Sequence, residues 1–413
     1  MRHPRYLLVL LPAFLVAFTS LQAQSARTPA RHKLLVISIA GLDERLLADS
    51  ARVKIPNIRR LIRTGASSAG VVGVAPSETW PSAYSLVTGV PPSETRSAPT
   101  LWQAAAQTGL RTATVYWPYT AGAGIAFDFP AGAEPRRVRD VPFDDIGRHA
   151  VPSGIVDAVE KASPGFQKQL WDDGSAASAA IYLLQNEKPD LALVQFTDLE
   201  AEQRETTVTG VYARDTLEND DDLIGRILAA APTGTVVVIV SGHGFENEDY
   251  VVRPRVLLKQ TKQPAATVPV EVEAGLIGTP DANVAGRIRR LMKDGHRHGI
   301  AREVPMAQIK ARGAFAMWPD MAHWAAAFDT PANYFASPGD NGPALGPGTH
   351  HAFGGLWPER PGYRSVFVVA GGGVPARKLG EIDLLQIAPT FAEIIGATLP
   401  EAKKASLWST LSR

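Results

Sequence analysis

Four short polar stretches, each beside an apolar run, hold the residue types that do chemistry. The first is Pro76-Ser77-Glu78-Thr79-Trp80-Pro81-Ser82, ahead of a helical pattern. A hydroxyl at the start of a helix meets free backbone N–H groups and the positive end of the dipole, a place that favours an anion. Thr79 there is either a nucleophile or a plain helix N-cap, the commoner role for a Thr in that position. The second stretch holds Asp198 and Glu202 after the run Leu191 to Phe196. Four residues apart on one helical face, two carboxylates could share a metal or simply form a solvated acidic helix start. The third is Ser241-Gly242-His243-Gly244 and the fourth Gly348-Thr349-His350-His351, each offering imidazoles in glycine-flanked turns.

With no cysteine in 413 residues, disulfides, thiolate metal sites and thiol nucleophiles are excluded. Any metal must be held by imidazole, carboxylate or hydroxyl. Only nine histidines are available. His3, His32, His149 and His323 are isolated in the sequence, whereas His296 and His298 lie among Lys293, Arg297 and Arg302 and read as a solvated basic patch. His243 and His350 remain, with His351 as a substitute. A formal net charge of +1 and 20% charged residues exclude a polyanion-binding or disordered class, so no nucleic-acid polymer is expected as a partner.

The elements that must position these residues alternate. Lys33 to Ile39, Leu191 to Phe196 and Thr235 to Val240 are nearly continuous apolar runs, the pattern of strands buried on both faces. Shorter strands are expected at Val71 to Val74, Arg111 to Tyr116 and Ser365 to Ala370. Helical spacing covers Pro56 to Ile62, Ser82 to Thr88, Thr100 to Gln107, Ala176 to Gln185, Val211 to Ala230 and Leu384 to Ile395. Such alternation predicts an α/β fold with a central, mostly parallel sheet and helices on both faces. Ligands in such sheets bind beyond the carboxyl ends of the strands, where the chemical residues lie.

Arg2 and Arg5, then the apolar run Leu7 to Phe18 and the small residues around Ala23, read as a cleaved secretory signal peptide. The run is shorter than the ~20 residues a membrane span needs. The expected organisation is a signal peptide at 1–23, a linker at 24–32, a core at 33–245, an inserted subdomain with loops at 246–347 and the rest of the core at 348–413. A periplasmic or extracellular location follows, with no membrane span after cleavage.

Taken in order, the matching stretches resemble the type I phosphodiesterase/nucleotide pyrophosphatase family of the alkaline phosphatase superfamily. They are Lys33 to Leu42, Pro56 to Gly65, Pro76 to Gly89, Thr100 to Pro118, Asp198, Ser241 to Phe245, Gly348 to His350, and Gln386 to Pro400. The resemblance implies an alkaline-phosphatase-like sheet with an inserted cap, and two-metal phosphoester hydrolysis with Thr79 as nucleophile and Ser82 beside the substrate. One metal site would be built from Asp198, the residue four beyond it and His350. The other would use the acidic residue after the first strand, Thr79 and the Asp-His pair that ends in His243.

The chain departs from that pattern. Ala40 and Gly242 stand where the family has aspartates, and Glu202 where it has a histidine. Asp198, Glu202 and His350 could still hold one divalent metal, zinc by resemblance. The other site keeps only Thr79 and His243, so one occupied site at most is expected, or none. Asp43, three residues past Ala40, is a weak candidate to replace the missing carboxylate. Two expectations follow: an exported phosphoester hydrolase with impaired turnover, or a non-catalytic pseudoenzyme that binds a phosphorylated small molecule or a protein partner.

Overall fold

The run Leu34–Ile39 (β1) is apolar along its length because it faces two cores. Leu35, Ile37 and Ile39 pack into one hydrophobic cluster, Leu34 and Val36 into another on the opposite face. Strand pleating sends alternate side chains to opposite sides, and burial on both sides removes the polar alternation of an exposed sheet. The computed structural model describes residues 31–92, 96–131, 143–260 and 269–412. The expected signal peptide, and the linker as far as residue 30, lie outside the described residues.

The main sheet also contains Ala66–Ser67 (β2), Thr112–Val115 (β3), Phe127–Phe129 (β4), Leu191–Phe196 (β5), Val236–Val240 (β6), Phe367–Ala370 (β7) and Arg377–Lys378 (β8). Its order is β8-β2-β7-β6-β1-β5-β3-β4. The central strands β6, β1, β5 and β3 run parallel, whereas β7 is antiparallel to both neighbours, β6 and β2. In register, Ile39 lies opposite Phe196 and Ser38 opposite Val240. The residues that follow β1, β5 and β6, namely Ala40, Thr197 and Ser241, therefore emerge at one edge.

Four helices matter for the site: Thr79–Thr88 (α1), Asp173–Tyr182 (α2), Asp198–Glu205 (α3) and Val211–Ala230 (α4). Helix α1 begins three residues earlier than its apolar spacing predicts. Pro81 falls within its first turn, where no backbone N–H is needed for an intrahelical bond. Thr79 is consequently the first helical residue and Glu78 occupies the N-cap position.

A smaller four-stranded antiparallel sheet is built from Glu271–Glu273, Leu276–Thr279, Arg302–Val304 and Ala326–Asp329. Its residues Leu276, Val304 and Ala327 share a cluster with Ala75 and Trp357 of the core, so this layer supports the segment leading to Thr79. Among the described residues no helix is long and apolar enough to cross a membrane.

Candidate functional site

Thr79 is half-buried at the start of α1, and its hydroxyl is held from two sides. It donates a short hydrogen bond to Glu200 Oε2 and lies 3.1 Å from His243 Nε2. His243 is fully enclosed, and its Nδ1 lies 2.9 Å from the carbonyl of Gly244. A carbonyl only accepts, so Nδ1 carries the proton and Nε2 is the atom presented to Thr79. With neutral imidazole, the single Thr79 proton can go to Glu200 or to His243, but not to both.

Glu200 reaches this position because α3 packs tightly on the turn after β1. Gly41 has φ +75°, and a Cβ there would lie 2.3 Å from Gln203 Oε1 and 3.2 Å from Glu200 Cα. Only glycine satisfies both the left-handed backbone and that approach. The Glu200 carboxylate is 4.0 Å from His243 Nε2 through Oε2. Its other oxygen, Oε1, accepts from Arg204 Nε at 3.0 Å and Nη2 at 2.5 Å. Burial pushes the Glu200 carboxyl up, but the charge that His243 carries when protonated, with Arg204 and the Thr79 hydroxyl, outweighs it and holds the group below its usual range.

Phe245 forms the wall behind these groups. Its ring is 5.6 Å from that of His243, and the Arg204 guanidinium sits 5.2 Å from its centroid. Asp43 is directed elsewhere: its buried carboxylate pairs with Arg45 at 2.7 Å and caps the helix Glu44–Ala48. Arg45 also donates to the Phe245 carbonyl. Asp43 is thus committed to a structural pair with Arg45.

The sequence-derived residues divide. Thr79 and His243 meet. Asp198 accepts the Asp173 N–H through Oδ2 at 3.0 Å, bridging the starts of α2 and α3. His350 is exposed, with Nδ1 3.6 Å from Asp249 Oδ1. Glu202 is half-buried on α3, and its backbone carbonyl accepts from the Thr206 hydroxyl. Ser82 is fully buried one turn beyond Thr79. Among the described residues no group of three or more His, Asp or Glu side chains is arranged to hold a metal ion.

Sequence reasoning missed Glu200 and Arg204. The available signal was their own four-residue spacing, which puts a carboxylate and a guanidinium on one helical face. At about 100° of turn per residue, Glu200 is ~200° around the helix from Asp198, so the Asp198/Glu202 face and the Glu200/Arg204 face cannot both meet Thr79.

The family model for type I phosphodiesterase/nucleotide pyrophosphatase matches residues 34–96 and 95–314, more than half of the chain. The chain belongs to this family. Among solved structures, it is similar to murine ectonucleotide pyrophosphatase/phosphodiesterase 5, described as an inactive threonine-to-alanine variant in complex with AMP. That likeness has a TM-score of 0.59 at 12% identity, over 92% of this chain and 99% of the other. The human protein of the same name gives a TM-score of 0.59 at 13% identity, over 92% and 98%. At such identity these likenesses establish the shared α/β fold. No curated protein matches the sequence. Membership in the phosphodiesterase/nucleotide pyrophosphatase family places the chain among phosphoester hydrolases by type, and the cluster around Thr79 lies at the sheet edge where that fold class binds ligands.

Proposed function

We propose that this protein is an exported hydrolase of small phosphate esters, of the phosphodiesterase/nucleotide pyrophosphatase type, with Thr79 as nucleophile. The observation that carries the reading is the Thr79 hydroxyl at the first residue of α1, with both the Glu200 carboxylate and His243 Nε2 at hydrogen-bonding distance. A hydroxyl so placed has a proton acceptor beside it, the requirement for a Thr nucleophile at neutral pH. A phosphoryl group at the start of α1 would also meet the positive end of a ten-residue helix. Export rests on the Arg-flanked apolar segment at residues 1–23.

The zinc that the resemblance implies does not fit the donors present. Ala40 and Gly242 supply no side-chain donor, and His350 pairs with Asp249. Among the described residues the strong ligands that contact Thr79 are Glu200 and His243, and Glu200 already carries the Arg204 cation. Catalytic zinc uses three protein ligands, and a guanidinium on one of two remaining ligands opposes a second positive charge. Turnover is therefore expected to be slow relative to a two-metal enzyme.

A second reading is a non-catalytic phosphate-ester binder. It is favoured by Ala40 and Gly242, which offer no side-chain donor for the metals on which the family reaction depends. One assay separates the two. Purified protein should cleave bis(p-nitrophenyl) phosphate in a Thr79-dependent way; a wild-type rate equal to that of Thr79→Ala would sink the hydrolase. AMP, which the murine neighbour binds, is the first ligand to try. A binder without turnover would still show an AMP-induced rise in melting temperature.

A further inference from the structure

We propose that the Glu200–Arg204 pair takes over the role of a metal at this site, with Glu200 the catalytic residue that accepts the Thr79 proton and Arg204 the residue that positions it. This deepens the reading of Thr79 as nucleophile and rests on it. Four observations support the assignment. The two oxygens of Glu200 are divided: Oε1 takes both Arg204 contacts, at 3.0 and 2.5 Å, which leaves Oε2 for the Thr79 hydroxyl. The pair is one helical turn apart with the acid nearer the N-terminus, the favourable order. Phe245 packs against both Arg204 and His243 and so fixes the guanidinium relative to the imidazole. Finally, the close approach at Gly41 brings the Glu200 backbone to the turn where the family aspartate is replaced by Ala40.

In the first step the Thr79 O–H bond breaks and its proton passes to Glu200 Oε2, while Oγ1 forms a bond to phosphorus. The bond from phosphorus to the leaving oxygen breaks, and Glu200 gives its proton through solvent to the departing alkoxide, which leaves as the alcohol. In the second step a water molecule gives a proton to Glu200 and attacks phosphorus. The bond to Thr79 then breaks, and Oγ1 takes the proton back. The net reaction consumes one water and releases an alcohol and a phosphate ester. A guanidinium fixed against Glu200 supplies permanent positive charge beside the reacting group, as a metal would.

A fluorophosphonate probe tests nucleophile activation separately from turnover, because Thr79 displaces fluoride and retains the adduct. Full-length protein in EDTA is incubated with the probe, and adducts are mapped by mass spectrometry. Wild type should be labelled at Thr79, and Thr79→Ala should not. Glu200→Gln, nearly isosteric, should be labelled at least ~100-fold more slowly, the usual contribution of a general base. Glu200→Asp should fall between. Arg204→Gln should lower the maximal labelling rate without changing the probe concentration that half-saturates it, and Arg204→Lys should recover part of that rate. Labelling of Glu200→Gln at the wild-type rate would overturn the assignment, as would wild-type labelling that is absent in EDTA, whether or not added zinc restores it. Labelling that follows this pattern without phosphodiester turnover would remove the hydrolase reading and leave the assignment standing.

Discussion

Residue 242 shows how closely the site is packed at the scale of single side chains. A Cβ on Gly242 would lie 2.5 Å from Ser82 Cβ, far inside contact distance, and Ser82 is fully buried on α1. An aspartate at this position, which the resemblance implies, has no room here, because the space for its first carbon is filled. Gly242→Ala should therefore destabilise the protein by about 1–3 kcal/mol through overpacking. Ser82→Gly in the same chain should recover part of that loss, as urea unfolding of the two single variants and the double variant would show; strictly additive effects would contradict the contact. That Ala40 and Gly242 offer no side-chain donor was legible in the sequence, by residue type alone. The contact between Glu200 and Thr79 was not, because choosing between two faces of one short helix requires knowing which face packs on Gly41.

Helix α3 owes its placement to a junction of carboxyl groups with α2 and α4. The Asp173 carboxylate accepts the N–H groups of Thr197 and Asp198 at 2.8 and 3.0 Å, and Asp198 returns a bond to Asp173 N–H, so each helix start is capped by the other. Asp220 is buried on α4 beside Asp173, and two enclosed acids so placed favour a proton between them. Burial, then the Asp198 charge, pushes Asp173 up to about 8, and burial with the charges of Asp173 and Asp198 pushes Asp220 well above the usual carboxylate range. Both acids titrate near pH 4 when unfolded, so the folded state keeps protons that the unfolded state loses. Their contribution to stability is present in full below about pH 4 and declines as pH rises through about 8. Asp220→Asn replaces the shared proton with a permanent N–H donor. The melting temperature of the variant relative to wild type should rise steadily between pH 5 and pH 9; a constant difference would show that no proton is held there. Among the elements, the doubly buried strands β1, β5 and β6 were readable to within a residue, because a short continuous apolar run rich in β-branched residues fits little besides a strand covered on both faces. Helix starts were less readable. The proline in the first turn of α1 hid its true beginning, and α2 continues past Tyr182 as a π-helical turn at Leu183–Glu187 that no periodicity announces.

For the molecule as a whole, the question is what holds the small antiparallel sheet against the core so that the Thr79 segment stays supported. Apolar contact is one part, with Trp357 and Ala75 packed against Leu276 and Met321. Arg360 is the other. It is 1% exposed, with Nε 3.2 Å from Glu246, the neighbour of Phe245, and 3.9 Å from Asp329 at the end of the small sheet. Its Nη2 donates to the Thr330 carbonyl at 3.2 Å. Burial pushes both carboxyl groups up while the arginine pulls them back, so removing the cation would leave two enclosed acids without their main compensation. The Glu246 contact is a charge pair rather than a well-aligned hydrogen bond, which places its weight on electrostatics and on the absence of water. Breaking such a pair from one side costs about 3–5 kcal/mol, whereas a pair with an exposed partner costs about 1 kcal/mol or less. Arg302 also contacts Asp329, at 3.1 Å, but its side chain is 34% exposed. Urea unfolding should therefore separate the two arginines. Arg360→Met should lose several kcal/mol, and limited proteolysis should find the 270–330 region more open. Arg302→Met should stay close to wild type. Equal, small losses for both would mean that apolar packing alone holds the two sheets together.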